Sequence, residues 1–162
     1  MFAPNVYIER RKRLRSDVGS GLILFLGNEE SPMNYPDNQY PFRQDSSFLY
    51  FFGLDCPGLA AVIDTDQGAE CVFGNDLTVD DIIWTGSQPP LEEKCQEAGV
   101  SETVALDQLA LVLERAVAQK RQIHILPQYR PENILKIQQL LAIHPAVIQD
   151  HVSESLIKAV IA

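Results

Sequence analysis

Residues 59–74 read LAAVIDTDQGAECVFG, two apolar runs joined by a short polar turn. The runs LAAVID and AECVFG have strand length, and the turn TDQG ends on Gly68, the residue type that accepts the positive φ such a connection needs. The pattern predicts a β-hairpin. Upstream, GLILFLG at 21–27 is a continuous apolar run between glycines. Without alternation, it predicts an interior strand buried on both faces. A sheet buried on both faces must be covered by helices on both faces, so the fold class predicted is α/β: a mixed sheet containing a hairpin, with flanking helices.

The remaining elements follow outward from this centre. NVYIERRKRLRSDV predicts a first helix, capped by Asn5 and ended by Gly19 and Gly21, whose basic run ERRKRLR at 9–15 forms a solvated face. Residues 28–45, NEESPMNYPDNQYPFRQD, hold three prolines and no periodicity, and so predict a long loop of the kind that often carries function. It leads into SSFLYFFG, where Phe48, Tyr50, Phe51 and Phe52 are too apolar and too closely spaced for all to be exposed. Short helices are predicted for DLTVDDIIWTG, ended by Gly86, and PPLEEKCQEAG, ended by Gly99. Adjacent Asp80 and Asp81 suit the start of the first of these. A helix from Leu106 to Gln119 would bury Leu109, Val112, Leu113 and Ala116. QIHILP reads as a strand, PENILKIQQLLA as a helix and AVIQD as a last short strand. SESLIKAVIA reads as a serine-capped helix that is still apolar where the sequence stops, which suggests a chain cut from a longer protein at a domain junction.

The totals fit one soluble domain. The chain has 162 residues, 46% hydrophobic and 22% charged, with a net charge of −9 and a pI near 4.7. So negative a surface repels phosphate, which argues against a nucleic-acid or anionic-membrane partner. No apolar run approaches the roughly 18 residues that span a bilayer, and the N-terminus lacks a signal-peptide pattern. Cys56, Cys71 and Cys95 are odd in number and form no CxxC, so reduced thiols and a cytoplasmic location are expected.

No complete active site is legible. FLGNEESPMN has one glycine and two glutamates where a dinucleotide fold needs a glycine-rich phosphate loop. His124, His144 and His151 belong to no close-spaced ligand set, so no metal is expected on this chain. No serine lies in GxSxG, and no cysteine has a nucleophile's context.

One block is specific. YPDNQYPFRQDSSFLYFFGLDCPG followed by LAAVID resembles the N-terminal domain of Xaa-Pro aminopeptidases (aminopeptidase P), and DLTVDDIIWTG and the arginine-rich first helix extend the likeness over essentially the whole chain. The resemblance implies a fold like the creatinase/prolidase N-terminal domain, ribonuclease H-like, over residues 1–152. Residues 153–162 would begin a linker helix to a C-terminal catalytic domain of pita-bread fold. It implies that the parent enzyme hydrolyses the bond between an N-terminal residue and proline, using two metal ions, usually manganese, held by catalytic-domain ligands that do not map onto this sequence. This chain alone would then be non-catalytic, shaping substrate access and supporting a homo-oligomer. Its partners would be its own catalytic domain and proline-containing peptides.

By the same resemblance, Asp37, Tyr40 and Arg43 would face the catalytic cleft, and Trp84 would reach the active site of an adjacent subunit. Each has a plainer reading. Arg43 could tie the loop to Asp45, and a lone tryptophan on a short helix could serve packing alone. Two alternatives to an aminopeptidase remain: a prolidase- or creatinase-type hydrolase, and a metal-free pita-bread scaffold that binds peptides.

Overall fold

The computed structural model describes residues 2–162. Helix α1 (Pro4–Val18) leads into strand β1 (Leu22–Leu26); helix α2 (Ser46–Phe52) follows, then the hairpin β2 (Ala60–Asp64) and β3 (Ala69–Phe73). Helices α3 (Val79–Thr85) and α4 (Leu91–Glu97) precede β4 (Glu102–Val104), α5 (Leu109–Ala118) and β5 (Ile123–His124). The chain finishes with α6 (Pro131–Leu141), α7 (Ile148–His151) and α8 (Glu154–Ile161). The five strands form one mixed sheet in the order β4-β3-β2-β1-β5. The three central strands pair antiparallel, whereas β4 and β5 add in parallel at the two edges.

The hairpin and the interior strand are where the sequence placed them. Asp64 pairs with Ala69, and Gly68 has φ +71 in the turn between them. β1 is buried along its whole length because its alternate side chains enter two different cores. Ile23 and Phe25 join Ala61, Ile63 and Val72 on one face, under Tyr7 and Leu14 of α1, the α2 phenylalanines, Leu91 and Cys95 of α4 and Leu156 of α8. Leu22, Leu24 and Leu26 join Ala60, Val62 and Phe73 on the other, under α5, α6 and α7. A fully buried side chain of this size contributes about 1.5–3 kcal/mol, so the two layers are the main source of stability. The fold class is the α/β arrangement expected.

The first core is organised by a charge. Arg11 lies inside α1's contact with the sheet, wholly inaccessible. Its Nε donates to Glu70 Oε2 at 2.6 Å, its Nη1 to the carbonyls of Phe51 and Ala98, and its Nη2 to the carbonyl of Gly99. A buried guanidinium is tolerated only when its charge and donors are matched, and here one carboxylate and three carbonyls do so. The carbonyls lie at the C-terminal ends of α2 and α4, where helix dipoles favour a cation. The expectation of a solvated basic face therefore fails at Arg11: the run hides one charge that staples α1 to α2, α4 and β3.

Other expectations need correction. Asn5 does not cap α1; Ala3 holds the cap position without a side-chain bond, and Pro4 opens the helix, its missing N–H costing nothing there. AVIQD is not a strand but a 3-10 turn (Pro145–Val147) running into α7, because only Ile148 of its apolar residues is claimed by the core. Sheet pairing reaches this region just beyond, in a single parallel bridge between Ile125 and Val152. Strand β4 was missed; with three residues and one charge it has no periodicity to detect, and pairing with β3 creates it.

Candidate functional site

Residues 28–45 leave the end of β1 and return to the start of α2 without a helix or strand. The loop is ordered by its ends. Gln44 is buried; its Oε1 accepts from the backbone N–H of Asn28 (2.8 Å) and Asp45 (3.0 Å), while its Nε2 donates to the carbonyls of Leu54 and Cys56. Asp45 Oδ1 accepts from Ser47 N and Phe48 N, capping α2. The middle folds into a small hairpin, with Tyr40 N donating to Ser31 O and Met33 N to Asn38 O.

The Arg-Gln-Asp triplet thus divides its labour. Gln44 and Asp45 build the loop base, and the Arg43 side chain is left in solvent, its backbone carbonyl accepting from Asn28 Nδ2. Among the described residues Arg43 makes no ion pair with Asp45, so the tethering role read for it falls to Gln44. Tyr40, Pro41, Phe42 and Arg43 line a cleft of about 390 Å³ together with Glu29, Ser31 and, at the start of α6, Arg130, Pro131 and Glu132. Arg130 Nη1 donates to Ser31 Oγ at 3.3 Å, and Glu29 is paired with Lys136. Tyr40 and Arg43 are therefore brought together. Asp37 is exposed near the tip of the small hairpin and is not part of that lining.

Sequence reasoning missed Arg130, although a signal was present. YRPEN places a proline at the first position of α6, which fixes Arg130 at that helix's N-cap, beside the end of β1.

Trp84 stands on a separate excursion, residues 75–90. Its base is pinned where Asp76 Oδ1 accepts from Leu91 N (2.7 Å) and Asn75 Oδ1 from Leu106 N (3.2 Å). Within it, α3 is held by a capping box: Asp81 N donates to Thr78 Oγ1, and Thr78 N donates to Asp81 Oδ2. Hydrogen bonds from Thr78, through its side chain and its backbone N–H, hold the Asp81 carboxyl below its ordinary pKa. No residue of α3 is buried: Val79 is 75% exposed, Ile83 71% and Trp84 87%. The apolar side chains of α3 therefore stand outside the core.

No group of three or more His, Cys, Asp or Glu converges as a metal site among the described residues. His124 is buried and used structurally, with Nδ1 on Ser153 Oγ (2.7 Å) and Nε2 on the Ser20 carbonyl (2.8 Å). Burial and the nearby Glu102 carboxylate push the Cys71 thiol up to about 12, and burial raises Cys95 as well. Thiols so raised are poor nucleophiles at neutral pH.

Comparison with known proteins identifies the family. The model of the aminopeptidase P N-terminal domain matches residues 7–126. The human Xaa-Pro dipeptidase is 29% identical over 105 residues, covering 65% of this chain and 21% of that protein. The Xaa-Pro aminopeptidase of Haemophilus influenzae is 26% identical over 122 residues, covering 74% and 28%. Among solved structures, aminopeptidase P from E. coli superposes with a TM-score of 0.70 at 19% identity, over 88% of this chain and 33% of that one. The chain therefore spans between about a fifth and a third of these three proteins. Taken with the fold and the block at 35–58, these matches mean that the chain belongs to the aminopeptidase P N-terminal domain family.

Proposed function

We propose that this chain is the non-catalytic N-terminal domain of a metal-dependent enzyme that hydrolyses Xaa-Pro bonds, serving substrate access and self-association. The observation that carries the reading is α3, a capped helix presenting Val79, Ile83 and Trp84 with no buried residue. A flat indole face suits a proline ring at low entropic cost, so Trp84 would line the cleft of a neighbouring copy while α3 packs at the interface. Asp37, Tyr40 and Arg43 would face the cleft of the catalytic unit. Proline leaves the scissile amide without an N–H, so recognition needs shaped walls rather than backbone pairing, and a neighbouring domain can supply them.

Among the described residues no group of three or more His, Cys, Asp or Glu converges, so no catalytic step is assigned to them. The metals, with manganese as the expected pair, would polarise the carbonyl and activate water on a catalytic unit elsewhere in a longer protein. Residues 1–152 would form the accessory domain, with 153–162 leading toward that unit; Leu156 seats this last helix in the first core, so it would hand over a fixed direction. Cytoplasmic residence suits the three unpaired thiols.

The test is activity on a proline-containing peptide with manganese. The 162-residue chain should be inert, and a chain extended through the catalytic unit should cleave. In that longer protein Trp84→Ala should lower turnover while leaving this domain folded; unchanged kinetics would remove Trp84 from the site. The match to a human Xaa-Pro dipeptidase favours one second reading, a prolidase-type enzyme restricted to dipeptides. Comparing dipeptides with longer peptides as substrates separates the two.

A further inference from the structure

We propose that the cleft between residues 40–43 and the start of α6 binds a peptide carboxylate, recognised by the guanidinium groups of Arg43 and Arg130. The inference deepens the substrate-facing reading of Tyr40 and Arg43 and rests on it for the source of the peptide. Three observations carry it.

First, Arg43 and Arg130, from separate segments of the chain, line one cleft of about 390 Å³. Like charges that share a cleft disfavour each other, and an anion bound between them relieves that. Second, neither makes a salt bridge among the described residues, in a chain with 22 acidic residues against 13 basic ones. A third loop arginine, Arg121, is held by both Asp64 and Asp66. Within the cleft Glu29 is occupied by Lys136, so the remaining carboxylate, Glu132, stands against two arginines. Glu132 also lies in the first turn of α6, where the helix dipole favours it in place.

Third, the neutral lining matches a peptide end. Ser31 Oγ already accepts from Arg130, which leaves its hydroxyl hydrogen free to donate. Tyr40 offers a phenolic donor, and Pro41 and Phe42 add apolar surface beside the charges. Guanidinium forks bind carboxylates in two parallel hydrogen bonds, the geometry that most sharply separates a carboxylate from an amide.

The test is an NMR titration of the isotope-labelled 162-residue chain, following the arginine Nε–Hε resonances, with Ala-Pro-Ala as free acid and as C-terminal amide. The free acid should shift Arg43 and Arg130, and the amide should not. Arg43→Gln should weaken binding roughly tenfold or more, the scale of one charge-assisted hydrogen bond; Arg43→Lys should recover part of it. Arg130→Gln should do the same, but Arg130 is half-buried, so a thermal melt accompanies it and the exposed Arg43 carries the conclusion. An Ala-Pro-Ala amide extended by glutamate distinguishes the sources: binding would assign the cleft to acidic side chains, its failure to the terminal carboxylate, and either is consistent with the proposal.

Equal binding of acid and amide, equal shifts with acetate alone, or an unchanged affinity for Arg43→Gln would each overturn it. These outcomes are separable from failure of the parent reading, which is decided by turnover of the longer protein and its Trp84 variant.

Discussion

Helices α2 and α3 are built from nearly the same parts and meet opposite fates. Each has seven residues, a side-chain N-cap (Asp45 and Thr78), a glycine at its end (Gly53 and Gly86) and a high share of aromatic and aliphatic residues. α2 buries Phe48, Phe51 and Phe52, whose rings sit with that of Phe25 at centroid distances of 5.1–5.8 Å. α3 buries nothing. Helices so short are marginal by themselves, so α2 is held by the sheet and α3 by its caps. Local chemistry decides that a helix forms; long-range packing decides whether its apolar face is used up. The one left unused is α3.

The largest effect that could break this contrast is a truncation in α2. Phe48→Ala should lower global stability by about 3–5 kcal/mol in urea unfolding, the usual cost of an aromatic cavity in a core. A loss below about 1 kcal/mol would mean that α2 is no more anchored than α3. Gly53→Ala comes next. Gly53 has φ +67, and a Cβ there would lie 2.4 Å from Cζ of Tyr7, so the expected loss exceeds the roughly 1–3 kcal/mol of backbone strain alone. At Gly86 a Cβ meets nothing within 4 Å, so Gly86→Ala, with φ +83, should cost at most the roughly 1–3 kcal/mol of backbone strain and less than Gly53→Ala. The caps sharpen the comparison further. Asp45→Ala should cost about 1 kcal/mol globally, whereas Thr78→Ala should accelerate amide exchange within α3 while the urea midpoint stays put.

Acid provides a graded version of the same test. Burial pushes the Asp64 carboxyl up, but hydrogen bonds from Arg121 and from the N–H groups of Gln67 and Asp66 outweigh it and hold it below its ordinary value; Asp66 is lowered chiefly by Arg121. Folded-state values below the unfolded one, near about 3.9, mean stability that is complete above that pH and lost as pH falls through the folded values. Arg121→Gln should therefore flatten the acid limb of the stability profile below about pH 4; an unchanged limb would show the hairpin cluster to be neutral. The Asp81 cap follows the same sign, so α3 should fray in acid. The smallest effect is Trp84→Ala, which should alter the stability of this chain by less than about 0.5 kcal/mol, in contrast to Phe48→Ala.

The core was legible because its signals are local. Gly68 between two apolar runs, and LILFL between glycines, each admit one reading within a few residues. The failures share a cause. Arg11 reads as one more surface charge because its partners, Phe51, Ala98 and Gly99, lie 40 to 88 positions away. β4 exists by pairing, and AVIQD was too short for periodicity to separate strand from turn. The site divides the same way: Tyr40 and Arg43 lie three positions apart within one quoted block, while Arg130, at the start of α6, is brought to the same cleft only by the fold. The resemblance named Tyr40 and Arg43 as candidates; only topology shows which side chains share a cleft with them.

The placement of Arg11 also has a consequence for synthesis. Its last acceptor, the carbonyl of Gly99, is 88 residues further along the chain. At ribosomal rates of about 5–20 residues per second, several seconds pass before that acceptor is even made. Until then the first helix cannot bury its charge, and it must remain hydrated and undocked. The first layer of the domain is therefore completed from a nascent chain of at least a hundred residues, and a shorter N-terminal piece emerging from the ribosome has a cation in the place of its own seam.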